Sequence, residues 1–153
     1  MVLGIHSLTA LAFATASLLA GPLADPVAAS TSSTYESDVI KYANVERTSR
    51  HLAKVSPSAC LDSYAESWAR NMAKKQRMYH QQLGPILSRC KLSQVGENIA
   101  FGYPSGKAVT KAWIASPPHK ANLLNKRHRL IGVGAVQDSR GYWWVSEVLG
   151  RSR

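Results

Sequence analysis

His80, Glu97 and His119 are residues whose types could share a ligand or a reaction. Glu97 lies inside Val95-Gly96-Glu97-Asn98-Ile99-Ala100-Phe101-Gly102-Tyr103, an otherwise apolar run punctuated by glycines. A carboxylate is rarely buried without a partner. Its side chain therefore either reaches solvent or meets a cationic or hydrogen-bonding group brought from elsewhere. Two imidazoles and a carboxylate suit a divalent transition metal such as zinc. They equally suit acid–base work, with the carboxylate fixing one imidazole's tautomer and raising its basicity. The spacing matches no short metal motif such as H-E-x-x-H, so composition alone also leaves open separate structural roles for the three. Ser116 precedes His119 by three positions, but a serine nucleophile needs an oxyanion hole and a third orienting residue, and the sequence shows neither. His51 falls at a helix end, where it can meet the terminal carbonyls. His128 sits within Lys126-Arg127-His128-Arg129 and reads as a surface residue.

The elements that must position these residues follow from periodicity. A first helix is expected from about Tyr35 or Glu36 to Leu52, with Val39, Ile40, Ala43 and Arg47 on one side. Ser58 can cap a second helix, whose apolar stripe is Leu61, Ala65, Trp68 and Met72, while Asp62, Glu66, Arg70 and Lys74 face elsewhere. His80 lies just beyond this helix, where a rigid element can aim it. Gln81 to Ser93 reads mostly as loop, and Val95 to Phe101 as a short strand. Pro104-Ser105-Gly106 marks a turn. A third helix then presents Val109, Ala112 and Trp113 inward and stops at Ser116-Pro117-Pro118, because proline cannot continue a helix. His119 begins a short helical piece ending at Leu124. Leu130–Val136 and Tyr142–Leu149 read as an antiparallel hairpin turning at Asp138-Ser139-Arg140-Gly141. Helices flank strands without regular alternation, which predicts an α+β class with helices covering both faces of a small antiparallel sheet.

The chain has 153 residues and 45% hydrophobic content, which suits one globular domain. From Met1 to Ser30 there is no Lys or Arg and one acid, Asp25. The apolar run Leu8–Ala20 is short and rich in Ala and Ser, and Val27-Ala28-Ala29 has the small-residue character of a cleavage site. Residues 1–29 therefore read as a secretory signal peptide, with a retained membrane anchor as the alternative. Residues 30–35 read as a flexible lead-in and 36–153 as the folded domain. Export places the protein outside the cell and favours a disulfide between Cys60 and Cys90; two free thiols or a metal site are the alternatives. The net charge of +10 would attract anionic envelope polymers or lipid headgroups, or simply form a solvated basic face. No basic stripe interleaved with aromatic residues is present, so specific nucleic-acid binding is not expected.

Three motifs carry a resemblance: Gly96-Glu97-Asn98-Ile99-Ala100, Trp113-Ile114-Ala115-Ser116-Pro117-Pro118-His119-Lys120-Ala121-Asn122-Leu123-Leu124, and Ile131-Gly132-Val133-Gly134. Together with Asn44 and Arg47 in the first helix, they resemble the bacterial branch of the CAP superfamily, the SCP domain of cysteine-rich secretory proteins, antigen 5 and plant pathogenesis-related proteins. The resemblance covers roughly Val39 to Gly150. It implies an α-β-α sandwich with a central cleft lined by two histidines and two glutamates, where some members bind zinc or another divalent cation. Carried over by position, the cleft residues are His80, Glu97 and His119, with Ser116 where the second glutamate would stand and Pro118 where glycine is common. Glu147 on the last strand could restore the missing acid if it points inward. Asn98 either joins the cleft or satisfies backbone groups at the strand edge, and Ser116 either joins it or caps the Pro117 turn. Phe101, Tyr103, Trp113 and Trp143 are candidates to line the cleft, with core packing as the alternative for each. The resemblance gives no single reaction. The leading expectation is a secreted, non-enzymatic binding domain for a small ligand, lipid or peptide, with or without a divalent metal on His80, His119 and Glu97. The alternatives are a metal-assisted hydrolase of peptide or ester bonds and an electrostatic binder of envelope polyanions.

Overall fold

The structure, a computed structural model, describes residues 31–153; the expected signal peptide of residues 1–29 lies outside the described residues. The elements in order are α1 (Ser32–Thr48), β1 (Ser56–Pro57), α2 (Ala59–Lys75), α3 (Leu83–Arg89), β2 (Leu92–Phe101), α4 (Gly106–Ala115), α5 (Pro117–Leu123), β3 (Leu130–Gln137) and β4 (Trp143–Ser152). The class is α+β, as expected. The four strands form one sheet in the order β1-β3-β4-β2. β4 is antiparallel to both β2 and β3, while the two-residue β1 adds in parallel to β3.

Helices cover both faces. On one face Tyr35, Val39 and Ala43 of α1 pack with Val109 and Trp113 of α4, Leu123 of α5 and the strand residues Ile131, Val133, Ala135, Val145 and Leu149. On the other, Leu61 and Ala65 of α2 and Ile86 of α3 pack on Leu92 and Val148, beside a smaller group of Met72, Ile99 and Trp144. The α2 helix sits directly on two glycines of β3: a Cβ at Gly132 would overlap Leu61, and one at Gly134 would overlap the Glu66 backbone. The sequence therefore keeps side chains off β3 where the helix axis must come close.

Both long edges of the sheet are closed by side chains. On β3 the N–H of Val133 donates to Asp62 of α2 at 3.1 Å and that of Ala135 to Glu36 of α1 at 2.9 Å. On β2 the carbonyl of Glu97 accepts from Asn122 at 2.9 Å and that of Ile99 from the Trp113 indole at 3.3 Å. Such caps block edge-to-edge pairing with another chain, and on β2 they tether α4 and α5 along the strand.

Several expectations are corrected here. The lead-in is shorter than the expected 30–35, because the Thr31 hydroxyl caps α1 by accepting from Thr34 N–H at 3.2 Å. This helix stops at Thr48 rather than Leu52; His51 then takes a positive φ of 58° in the following turn, and its backbone N–H, not its ring, meets the Thr48 carbonyl. The buried stripe of α2 is Leu61, Ala65, Ala69 and Met72, with Trp68 only half-buried at its side. Asp62 does not face away but serves the β3 edge. The segment expected as loop holds α3, because Pro85 falls in its first turn, where no intrahelical N–H bond is lost. β2 begins at Leu92, three residues before the expected Val95. His128 is 1% exposed, not on the surface; its Nδ1 lies 3.1 Å from the Asn122 carbonyl.

Arg47 explains how the chain after α5 is held. It is fully buried, and its guanidinium donates to the carbonyls of Ala53, Leu123, Asn125 and His128 at 2.8–3.0 Å. One side chain of α1 thus saturates carbonyls in two loops, which satisfies its own buried charge by charge-assisted bonds. The cystine Cys60–Cys90 forms as expected and fastens the first turn of α2 to the end of α3.

Candidate functional site

The outer edge of β2 is where the expected residues meet. Alternation along β2 turns Glu97 toward the α2 face, and the turn after α2 brings His80 and Gln81 over it. The Glu97 side chain is 1% exposed and the His80 ring 59% exposed. Its Oε2 lies 2.8 Å from His80 Nδ1 and accepts from the Gln81 N–H at 3.2 Å. Its Oε1 accepts from Gln81 Nε2 at 2.7 Å and from Ser146 Oγ at 3.0 Å. Four donors therefore hold one buried carboxylate, and the carboxylate in turn makes Nδ1 the protonated nitrogen of His80. Nε2 of His80 has no hydrogen-bond partner among the described residues.

His119 approaches from the opposite face, on α5. Pro117 opens this helix, and Ser116 both ends α4 and precedes α5. Ser116 Oγ makes no bond to a helix N–H; it lies 2.8 Å from His119 Nδ1. Burial, and then the nearby His80, holds the His119 imidazolium pKa below the usual histidine range.

Asn98 and Glu147 stand beneath this cleft, not in it. They are paired across the β2–β4 ladder, so they share the face covered by α5, opposite to that of Glu97. Both are fully buried. Asn98 Nδ2 donates to Glu147 Oε2 at 2.8 Å and to the His119 carbonyl at 3.1 Å, while its Oδ1 accepts from Asn122 at 3.1 Å. Their contact with the site is through the backbone that carries His119. Glu147, for which the sequence left the direction open, is fully buried against Asn98 on the face opposite Glu97.

A cavity of about 320 Å³ runs on from His119 and Ser116 along the end of β2, walled by Met78, Phe101, Tyr103 and Trp113. Three of the four aromatic candidates therefore line it. Trp143 does not; it stacks on Tyr35 in the core, with ring centroids 4.7 Å apart. Met78 and Tyr103 are 44% and 38% exposed, so the apolar wall is open to a ligand.

The expected metal set fits only in part. Glu97 already accepts two hydrogen bonds on each oxygen, so it orients His80 and is not free to coordinate. Nε2 of His80 and Nε2 of His119 remain as two donor atoms. Among the described residues no group of three or more His, Cys, Asp or Glu side chains is arranged to hold a metal ion. Gln81, Ser146, Asn122 and Met78 were not singled out from the sequence. Gln81 and Asn122 adjoin or lie within motifs already noted, whereas Ser146 becomes visible only from the register that sets it beside Glu97.

Comparison with known proteins bears on the family and the fold. A family model described as the cysteine-rich secretory protein family, CAP, matches residues 40–148. An uncharacterized Bacillus subtilis protein, YkwD, is 31% identical over 131 residues, covering 81% of this chain and 50% of that protein. The chain therefore spans half the length of that relative. Among solved structures, an extracellular Bacillus anthracis protein containing an SCP domain matches with a TM-score of 0.72 and 23% identity, covering 87% of this chain and 45% of that one. An outer surface protein from Borrelia burgdorferi matches with a TM-score of 0.67 and 19% identity, covering 75% of this chain and 90% of that one. At these identities the structures speak for the fold.

Proposed function

The chain belongs to the cysteine-rich secretory protein (CAP) family, and we propose that it is an exported binding domain that does not turn over its ligand. The cleft takes a small lipid or peptide with an apolar body and a hydrogen-bonding end. The observation that carries this reading is the pairing of two surfaces at one place. The apolar wall of Met78, Phe101, Tyr103 and Trp113 adjoins Ser116 and His119, while Glu97, the carboxylate best placed for base catalysis, is saturated by four donors. A volume of about 320 Å³ is at the small end of ligand sites and suits one short chain or side-chain cluster. Export rests on the character of residues 1–29 and on the description of the Bacillus anthracis neighbour as extracellular. Among the described residues no helix is long and apolar enough to cross a membrane.

The test is a fluorescence titration of the full chain with N-phenylnaphthylamine, a neutral apolar probe that the basic surface does not attract. Saturable one-to-one binding is expected, weakened about tenfold in Met78→Ala/Tyr103→Ala with the melting temperature unchanged. Binding that the double variant leaves intact would place the apolar site elsewhere.

The orientation of His80 by Glu97 favours a second reading, a metal-assisted hydrolase. Here His80 and His119 would hold zinc, which would supply an activated water. Zinc calorimetry on the chain and on His80→Ala/His119→Ala decides between them. Weak binding lost in the variant without ester or peptide turnover supports the binding domain, and turnover abolished by chelation supports the hydrolase.

A further inference from the structure

We propose that the chain carries a second site, a phosphate-binding pocket at the other end of β2, which grips a non-nucleic polymer bearing phosphate groups. A cavity of about 480 Å³ opens there, lined by Ser93, Gln94, Arg127, Arg151, Ser152 and Arg153. It is made where the start of β2 and the end of β4 meet the loop between α5 and β3. This inference does not depend on the reading of the histidine cleft.

The arginines of this pocket differ from most others in how they are used. Arg47 is spent on four carbonyls, Arg129 on the carbonyls of Lys126 and His128, and Arg50, Arg70 and Arg140 on carboxylates. The Arg153 guanidinium makes one bond, from Nε to the Leu92 carbonyl at 3.2 Å. Among the described residues, the guanidinium groups of Arg127 and Arg151 have no hydrogen-bond or ion-pair partner, and both residues are exposed. Planar forks with unspent donors, converging on one concavity, suit the tetrahedral oxygens of phosphate. Gln94 also lines the pocket, but its side-chain oxygen is buried with no donor. Ser93 is already committed, its hydroxyl donating to the carbonyls of Arg151 and Ser152 at 3.3 and 2.8 Å, and so shapes the pocket without serving the ligand.

The later part of the sequence is rich in cations and poor in acids. Of the 19 lysines and arginines, Lys41, Arg47, Arg50 and Lys54 precede residue 67, which leaves fifteen after it. The acids after residue 66 are Glu97, Asp138 and Glu147. Two are buried and Asp138 is paired with Arg140, so this half of the chain presents cations without exposed acidic side chains to oppose them. A polyanion is drawn to such a surface over a Debye length, and the pocket gives it a place to dock. The pocket has no aromatic side chain on which a base could stack and no large apolar side chain to enter a bilayer. Those two absences favour a phosphate polymer over nucleic acid or membrane.

The experiment is titration of the full chain with long-chain inorganic polyphosphate at several salt concentrations. Saturable binding is expected. In Arg127→Ala/Arg151→Ala the affinity should fall about tenfold or more, and the dependence of log affinity on log salt should shallow by about two contacts. Lys74→Ala/Lys111→Ala removes the same charge from exposed positions outside the pocket and should change affinity by less than about threefold. Arg127→Lys/Arg151→Lys keeps the charge without the fork and should fall between the two. Equal weakening in the two alanine pairs would overturn the site and leave only diffuse attraction. Inorganic phosphate is expected to compete weakly; binding as tight as that of the polymer would overturn the polymeric ligand in favour of a small anion. A DNA duplex that binds more tightly than polyphosphate through the same arginines would overturn it in favour of nucleic acid.

Discussion

Glu147 is a fully buried carboxylate, with Oε2 held by Asn98 and Oε1 without a donor. Burial raises its pKa to about 7, against the pull of the Asn98 bond and of Arg47. The folded chain therefore keeps this proton to higher pH than the unfolded chain does. Its contribution to stability is present below the ordinary carboxylate range and is lost as pH rises through about 7. His128 works in the other direction. Burial, first, and the charge of Arg47 hold its pKa down, and its Nε2 has no partner. The unfolded chain protonates it first, so stability falls as pH drops below the ordinary histidine range. Glu147→Gln keeps the shape and the Asn98 contact while removing the ionisation. Urea denaturation at pH 5, 6.5 and 8 should show the wild type losing on the order of 3 kcal/mol toward pH 8 that the variant retains, with the acid-side loss from His128 and His119 present in both. Parallel profiles would show that Glu147 does not titrate in this window.

At the scale of elements, the contact between α2 and β3 has the tightest tolerance. Gly134 stands against the backbone of Ala65 and Glu66, and backbone cannot swing aside as a side-chain end can. Gly134→Ala should therefore separate the helix from the sheet and cost about 2 kcal/mol or more, read as a lowered denaturation midpoint. A midpoint within a few tenths of a molar of wild type would mean that α2 shifts freely. The displacement would also be felt at the cleft, because α2 leads into His80. A similar logic applies to α5, held to β2 by Asn122 and Asn98, which together set the position of His119.

Over the whole molecule, two helical layers are joined through one sheet, and Cys60–Cys90 reinforces only the layer of α2 and α3. The bridge spans 30 residues, so on the chain-entropy model it contributes roughly 3–4 kcal/mol. Cys60→Ala/Cys90→Ala should lose about that amount in urea denaturation while probe binding at the apolar cavity persists, since the cavity walls come largely from β2 and α4. Loss of probe binding at a denaturant concentration where the fold survives would tie the cavity to the α3 layer instead.

The apolar periodicity of α2, the turn chemistry at Asp138-Ser139-Arg140-Gly141, the stop at Pro117 and the ordered motifs around Glu97 and His119 are properties of short stretches, and from them the sequence by itself determined the class and most elements, while His80, Glu97 and His119 came together as candidates only through the family resemblance those motifs carry. The end of α1 at Thr48, the helix at Leu83–Arg89 and the parallel strand at Ser56-Pro57 escaped it, since a proline in a first turn and a two-residue strand leave almost no periodic signal. What only the tertiary structure decided was which side each residue faces and what lies opposite. The β2–β4 register puts Glu97 with Ser146 on one face and Asn98 with Glu147 on the other. A shift of one residue would exchange the two sets. The burial of His128 beneath the carbonyl of Asn122, the saturation of Glu97 by Gln81 and Ser146, and the gathering of Arg127 and Arg151 at one pocket likewise depend on groups far apart in the chain. Their partners are fixed by packing across the sheet, which no local pattern encodes.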